Sequence, residues 1–321
     1  MLDYRLLIAL GAGLVAAVVF ASATAGPLLI RMVLFSLTAL PLFLAGLGLG
    51  TTAALVAGVS ATALVFFAGS PVGALIFAIG QAGPVFILVY LASLNRTDSQ
   101  GAVEWYPVGR LIVAAALMSG AFAAITLLLL GGDLEALRAG VRAALQGFLD
   151  AELGNIPDGQ KLGPEELDEA ASYFMAFLPV ASGITTMGCL LFNFWLAGRI
   201  TRASGRLQRP WPDLGAMTFP PSAPLLLAGA TAASFLSDLP GLIARSFSGP
   251  LFLAYVLLGL AVVHYVTRGK PLRPIILWVL YALLFVTNSL AALVIALMGL
   301  TESIWPMRQM PPPSDDPRPP D

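Results

Sequence analysis

Apolar residues in this chain fall into runs long enough to cross the ~30 Å hydrocarbon core of a bilayer, and no other feature narrows the fold so far. The runs lie at residues 6–24, 27–46, 51–68, 71–91, 108–130, 173–197, 223–243, 250–266 and 274–300. Only 11% of residues are charged while 58% are hydrophobic, too few charges to cover a water-facing surface. The expected fold is all-α, a polytopic transmembrane helical bundle of eight or nine spans forming one domain over residues 1–310. The uncertain span is 27–46, which holds Arg31 near its start and Pro41 inside it; if it is re-entrant, the count is eight. The first run is expected to be retained as a span, since no clear cleavage signal follows it.

Lysine and arginine in short loops set the orientation. Residues 198–222 carry Arg199, Arg202, Arg206 and Arg209 against Asp213 alone, and Arg268, Lys270 and Arg273 crowd the next short connection. Both segments are expected at the cytoplasmic face, as are Arg96 and the N-terminus with Arg5. Counting onward, one last span puts the tail on the outer side. Residues 131–172 hold half of the 18 acids in the chain and fall on the outer side. Within them Leu134, Leu137, Val141, Leu145, Phe148 and Leu149 recur at helical spacing, which predicts an amphipathic helix on the membrane surface. Gly163-Pro164-Glu165-Glu166 then reads as a helix start. The tail, 311–321, is proline-rich and charged and is expected to be disordered.

No phosphate loop, zinc-protease or nucleophile-elbow motif occurs, so no enzyme and no cofactor is expected. One cysteine and one histidine are too few for a structural zinc site, and a net charge of −1 offers no footprint for nucleic acid. Polar groups within apolar spans are the informative ones, because each is costly unless partnered. Gln81 lies beside Gly80, Gly83 and Pro84, where an interrupted helix can bind a solute or simply kink and bond a neighbour. Asn193 and Asn288 read as solute ligands or as interhelical bonds. His264 reads as a proton relay or as an interfacial side chain.

Small residues recur every fourth position at Ala9, Gly13, Ala17 and Ala21, and again at Ala116, Gly120 and Ala124. Such stripes let helix backbones approach closely, within the chain or toward a partner. Gly259-Leu-Ala-Val-Val-His264-Tyr, the basic turn after it, and Leu300-Thr-Glu-Ser-Ile-Trp305-Pro-Met-Arg308 resemble the closing pattern of YybS-like bacterial membrane proteins. Residues 39–50 resemble that family's early proline-containing segment. The resemblance implies a distant similarity to the substrate-binding S components of energy-coupling-factor transporters, in which a small-residue stripe on the first helix docks a partner subunit.

The leading expectation is therefore a multi-pass protein of a bacterial inner membrane, binding a small solute near Gln81, with Asn193, Asn288 and His264 as further candidates. Partner membrane subunits would supply the energy. The alternative is a non-transporting scaffold for envelope or division machinery. Gln81, Asn193 and Asn288 enclosing one polar cavity would favour the first.

Overall fold

The structure, a computed structural model, describes residues 4–23, 27–99, 101–130, 134–153, 163–287, 289–306 and 308. Its helices are α1 (Tyr4–Ser22), α2 (Leu28–Leu37), α3 (Leu40–Leu49), α4 (Thr51–Ala68), α5 (Pro71–Phe77), α6 (Gly83–Ser93), α7 (Val108–Leu130), α8 (Leu134–Leu153), α9 (Pro164–Ala203), α10 (Ala223–Ala233), α11 (Asp238–Val266), α12 (Arg273–Thr287) and α13 (Ser289–Ile304). A π-helical turn, Ala78–Ala82, joins α5 to α6, and a short hairpin of β1 (Asn95–Thr97) and β2 (Val103–Trp105) joins α6 to α7. Among the described residues, seven stretches are long and apolar enough to cross a membrane: α1, Leu29–Leu49, α4, Pro71–Ser93, α7, α9 and α11. The all-α polytopic bundle follows from that pattern. Phe67, Trp278 and Phe285 point outward, as lipid-facing side chains do where the surrounding solvent is itself apolar.

The apolar runs all become helix, but three are divided differently from expectation. Run 27–46 breaks at Thr38–Ala39 into α2 and α3, because Pro41 has no N–H to continue the ladder. Run 223–243 is not one helix: α10 stops at Ala233, the chain turns, and α11 begins at Asp238, whose φ of 58° is one that aspartate tolerates better than most residues. α11 then continues through Pro250, so run 250–266 is only its second half. Run 274–300 is the hairpin α12–α13. The α10–α11 turn, 234–237, is masked in hydropathy by Phe235 and Leu236, and at the second division Thr287 and Ser289 are too few polar residues to interrupt a long apolar run.

The hairpin also reverses the expected side of the C-terminal end. α13 runs parallel to α11, with Gly299 seated against Tyr255 and Gly259, and the Arg308 guanidinium lies 5.8 Å from the centre of the Tyr265 ring. The chain at Arg308 has therefore returned to the end of the bundle that holds the basic turn 268–273. The tail 311–321 lies outside the described residues.

Two buried cores meet along α7 and α9. The first joins α1, α3, α4, α5 and α6 around Leu42, Phe43, Phe77, Leu88 and Val89. The second joins α7, α9, α11 and α13 around Met187, Leu251, Tyr255 and Leu258. At the opposite end from the basic turn, α9 begins as read from sequence, with the Gly163 N–H donating to Glu166 Oε2 at 2.8 Å. Its 40 residues span about 60 Å, twice a bilayer core. α8 is amphipathic as expected: the first half of its stripe, Leu134, Leu137 and Val141, packs on Met175 of α9, Leu127 of α7 and Leu242 of α11, while Phe148 farther along is exposed. Arg142 pairs with Asp168 of α9 at 3.0 Å.

Candidate functional site

The candidate residues separate into three places. Gln81 sits in the π turn, where one extra residue per turn shifts the backbone bonds; such turns often mark functional sites. Only 8% of Gln81 is exposed. It lies on the face that also buries Phe77, Val85 and Leu88, and its amide has no hydrogen-bond partner among the described residues. A Cβ at neighbouring Gly80 would collide with the Phe122 ring of α7, so α7 closes directly over the turn. One helical turn before Phe122, Ser119 is 1% exposed and its hydroxyl is also unpartnered. The π turn and this stretch of α7 therefore bring a largely buried amide and a buried, unpartnered hydroxyl into the bundle. Leaving a buried polar group unpaired costs about 1–3 kcal/mol.

Asn193 belongs to a different site. Its Nδ2 donates to the Ser36 carbonyl at 2.5 Å and to the Cys189 carbonyl of its own helix at 2.6 Å. The α2–α3 break leaves carbonyls at the end of α2 without helical donors, and Asn193 supplies one. Thr38, fully buried at the break, donates its hydroxyl to the Leu34 carbonyl at 3.1 Å. Asn193 thus binds helix to helix, leaving only its Oδ1 buried and unpartnered. His264 is a third case: its Nε2 meets the Tyr281 hydroxyl at 2.9 Å, tying α11 to α12 near the basic turn. Asn288 lies outside the described residues.

Two grooves of the bundle are lined by other residues. A groove of about 350 Å3 runs between α9, α10, α11 and α13, past Ile184, Leu227, Phe252 and Leu297. A second, of about 590 Å3, lies between α4 and the α5–α6 segment, past Gly58, Phe66, Ala78 and Ala82. Neither Gln81, Asn193 nor His264 lines either one.

The small-residue stripe on α1 turns inward. Ala9, Gly13 and Ala17 are buried while Ala21 is exposed, and a Cβ at Gly13 would overlap Ser60 and the Ala57 carbonyl of α4. This is an interface within the chain. On α7, Gly120 likewise seats Phe247 of α11.

The most heavily bonded polar site went unread in the sequence. Residues 204–222 are not helical apart from the short turn Leu214–Ala216, yet they pack into the basic end of the bundle, with Phe219 edge-on to Tyr255 at 5.3 Å. Irregular backbone in such a place needs donors from the protein, and Arg308 provides them. It donates to the Gly215 carbonyl and, at 2.8 Å, to the Met217 carbonyl. Its Nε pairs with Glu302 at 2.8 Å, and the two side chains are 1% and 3% exposed. Beside it, Arg268 grips Asp213 through both oxygens, and its guanidinium holds the Asp213 carboxyl below the usual carboxylate range. Arg209 donates to the Tyr106 carbonyl at 2.8 Å, and burial lowers its pKa. The available signal was Glu302, an acid following the apolar run 289–300 and six residues before an arginine.

A family model described as "Predicted membrane protein (DUF2232)" matches residues 14–303. No curated protein and no solved structure matches the chain.

Proposed function

The chain belongs to the DUF2232 family of predicted membrane proteins, and from that premise we propose that it works as a substrate-binding membrane subunit for a small solute. Gln81 is its central ligand, and separate subunits supply the energy. The reading rests on one observation: a glutamine only 8% exposed on a π turn, with the buried, unpartnered Ser119 hydroxyl on the helix that covers it. Both groups are neutral, so the solute they suit is polar and uncharged at that contact. The resemblance to YybS-like proteins, and through them to energy-coupling-factor S components, points the same way. In this reading the protein sits in a bacterial inner membrane with its basic end toward the cytoplasm. Asn193 and His264 leave the ligand set and hold helices together instead.

A second reading, a scaffold for envelope or division machinery, draws support from the two largely apolar grooves, neither of which Gln81, Asn193 or His264 lines. One experiment separates the two. The full chain and its Gln81→Leu variant are purified in mild detergent, and mass spectrometry identifies co-purifying proteins and small molecules. A small polar molecule retained by the wild type and lost from Gln81→Leu, or an accompanying ATPase pair, supports the solute-binding subunit. Envelope-assembly proteins alone, with no retained molecule, overturn it in favour of the scaffold.

A further inference from the structure

At the basic end of the bundle, Arg199 and Arg202 of α9 share one aromatic ring. The Arg199 guanidinium carbon lies 5.7 Å from the centre of the Trp211 ring, and that of Arg202 lies 5.5 Å from it. The chain reaches this position by reversing at Gly205, whose φ of 68° is one that glycine adopts without strain. The Arg206 and Leu207 N–H groups then both donate to the Thr201 carbonyl. Gly198 lets the indole lie close: a Cβ there would stand 3.3 Å from the ring. Pro210 and Pro212 flank the tryptophan and restrict the backbone on either side of it.

Among the described residues neither guanidinium has a carboxylate partner. The acid of this segment, Asp213, is held by Arg268, and the buried Glu302 is held by Arg308. Two exposed cations are thus positioned on one ring, with a third, Arg206, exposed at the same turn. The ring holds both guanidiniums by cation–π attraction, and guanidinium N–H edges match phosphate oxygens in pairs. Tryptophan is also the residue most at home at headgroup depth.

We propose that Arg199 and Arg202, organised by Trp211, form a binding site for a phosphate group, carried by an anionic lipid headgroup or by a soluble phosphate compound. The site is separate from Gln81 and does not depend on the solute-binding reading.

The test uses the full chain in detergent, titrated with phosphatidylglycerol or phosphatidylcholine and read by native mass spectrometry. Sodium pyrophosphate serves as the soluble probe. The wild type retains phosphatidylglycerol over phosphatidylcholine, or binds pyrophosphate. The double variant R199Q/R202Q weakens that binding on the order of tenfold or more. Trp211→Ala weakens it comparably although every charge remains, Trp211→Phe keeps it, and Lys270→Gln, which removes a charge from the same end, changes it less than about twofold. Competition by pyrophosphate identifies a soluble ligand, and retention of lipid despite pyrophosphate identifies the headgroup. Three outcomes overturn the site: no binding of either probe, Trp211→Ala binding like the wild type, or Lys270→Gln losing as much as the double variant.

Discussion

The two cores of this bundle both contain broken backbone, and they repair it by different means. In the first, the α2–α3 break and the π turn at Ala78–Ala82 are accommodated without charge. Asn193 reaches one freed carbonyl, and Thr38 folds back on Leu34. In the second, the segment 204–222 is too long for such local repair. Its carbonyls are served by Arg308, whose charge is balanced by Glu302. The difference tracks how much backbone leaves the helical ladder. A one-residue irregularity needs one neutral donor, while a long irregular segment calls on a guanidinium with five N–H donors. A buried guanidinium in turn requires a buried acid.

The comparison can be broken by substitution, with thermal unfolding in detergent followed through a dye that reacts with Cys189, the chain's one cysteine. The largest effect is expected at Arg308→Ala. It removes the ion partner of Glu302 and the donor to the Gly215 and Met217 carbonyls, and should lower stability by about 3–5 kcal/mol. Replacing both partners, R308M/E302L, should recover part of that loss. An unchanged midpoint for Arg308→Ala would mean that the second core does not depend on its ion pair. Next comes Gly13→Leu, which drives α1 off α4 and should be destabilising by about 1–3 kcal/mol. Asn193→Ala should cost about 1 kcal/mol, in line with other interhelical hydrogen bonds in membranes; a loss as large as that of Arg308→Ala would erase the contrast between the cores.

Gln81→Leu should leave stability unchanged or slightly raised, by up to about 1 kcal/mol, because no bond is lost when an unpartnered amide goes. A clear destabilisation would show that Gln81 is a structural residue. The smallest effect concerns pH. The Asp213 carboxyl is held below its ordinary value by Arg268, so its contribution is present above the unfolded carboxylate pKa of about 3.9. That contribution fades as pH falls from there through the lowered folded value. Asp213→Asn should therefore flatten the acid limb of the stability curve and lower the plateau near neutrality slightly; an acid limb as steep as that of the wild type would remove this role.

Much of the helical content could be read directly, because in lipid the span length is fixed by bilayer thickness and each span must be nearly free of charge. The start of α9 at Gly163-Pro164-Glu165-Glu166 was equally legible, since capping is local chemistry. The α10–α11 turn and the α12–α13 hairpin were not. A turn made of Phe235 and Leu236 carries the same hydropathy as the helices around it, and only packing shows the chain doubling back. The candidate site was half legible. Gln81 could be singled out because an amide among glycines and a proline is conspicuous in an apolar run, whereas Ser119 looks like any small residue on α7. Asn193 was visible as a polar intruder, but its task depends on a carbonyl 157 positions away in sequence, which no local pattern encodes. Glu302 and Arg308 sat at the margin of the last apolar run, where charges ordinarily mean only that a helix has reached water.

α9 remains the longest element, and its length has a mechanical consequence. Half of it is surplus to the membrane, so the helix works as a shaft with a fitting at each end: the α8 hairpin on one side, the Arg199–Trp211 cluster on the other. Its hydrogen-bonded ladder is interrupted at Pro179. One continuous helix thus joins the α8 packing at one end of the bundle to the Trp211 cluster at the other, with Pro179 withholding one N–H from the ladder between them.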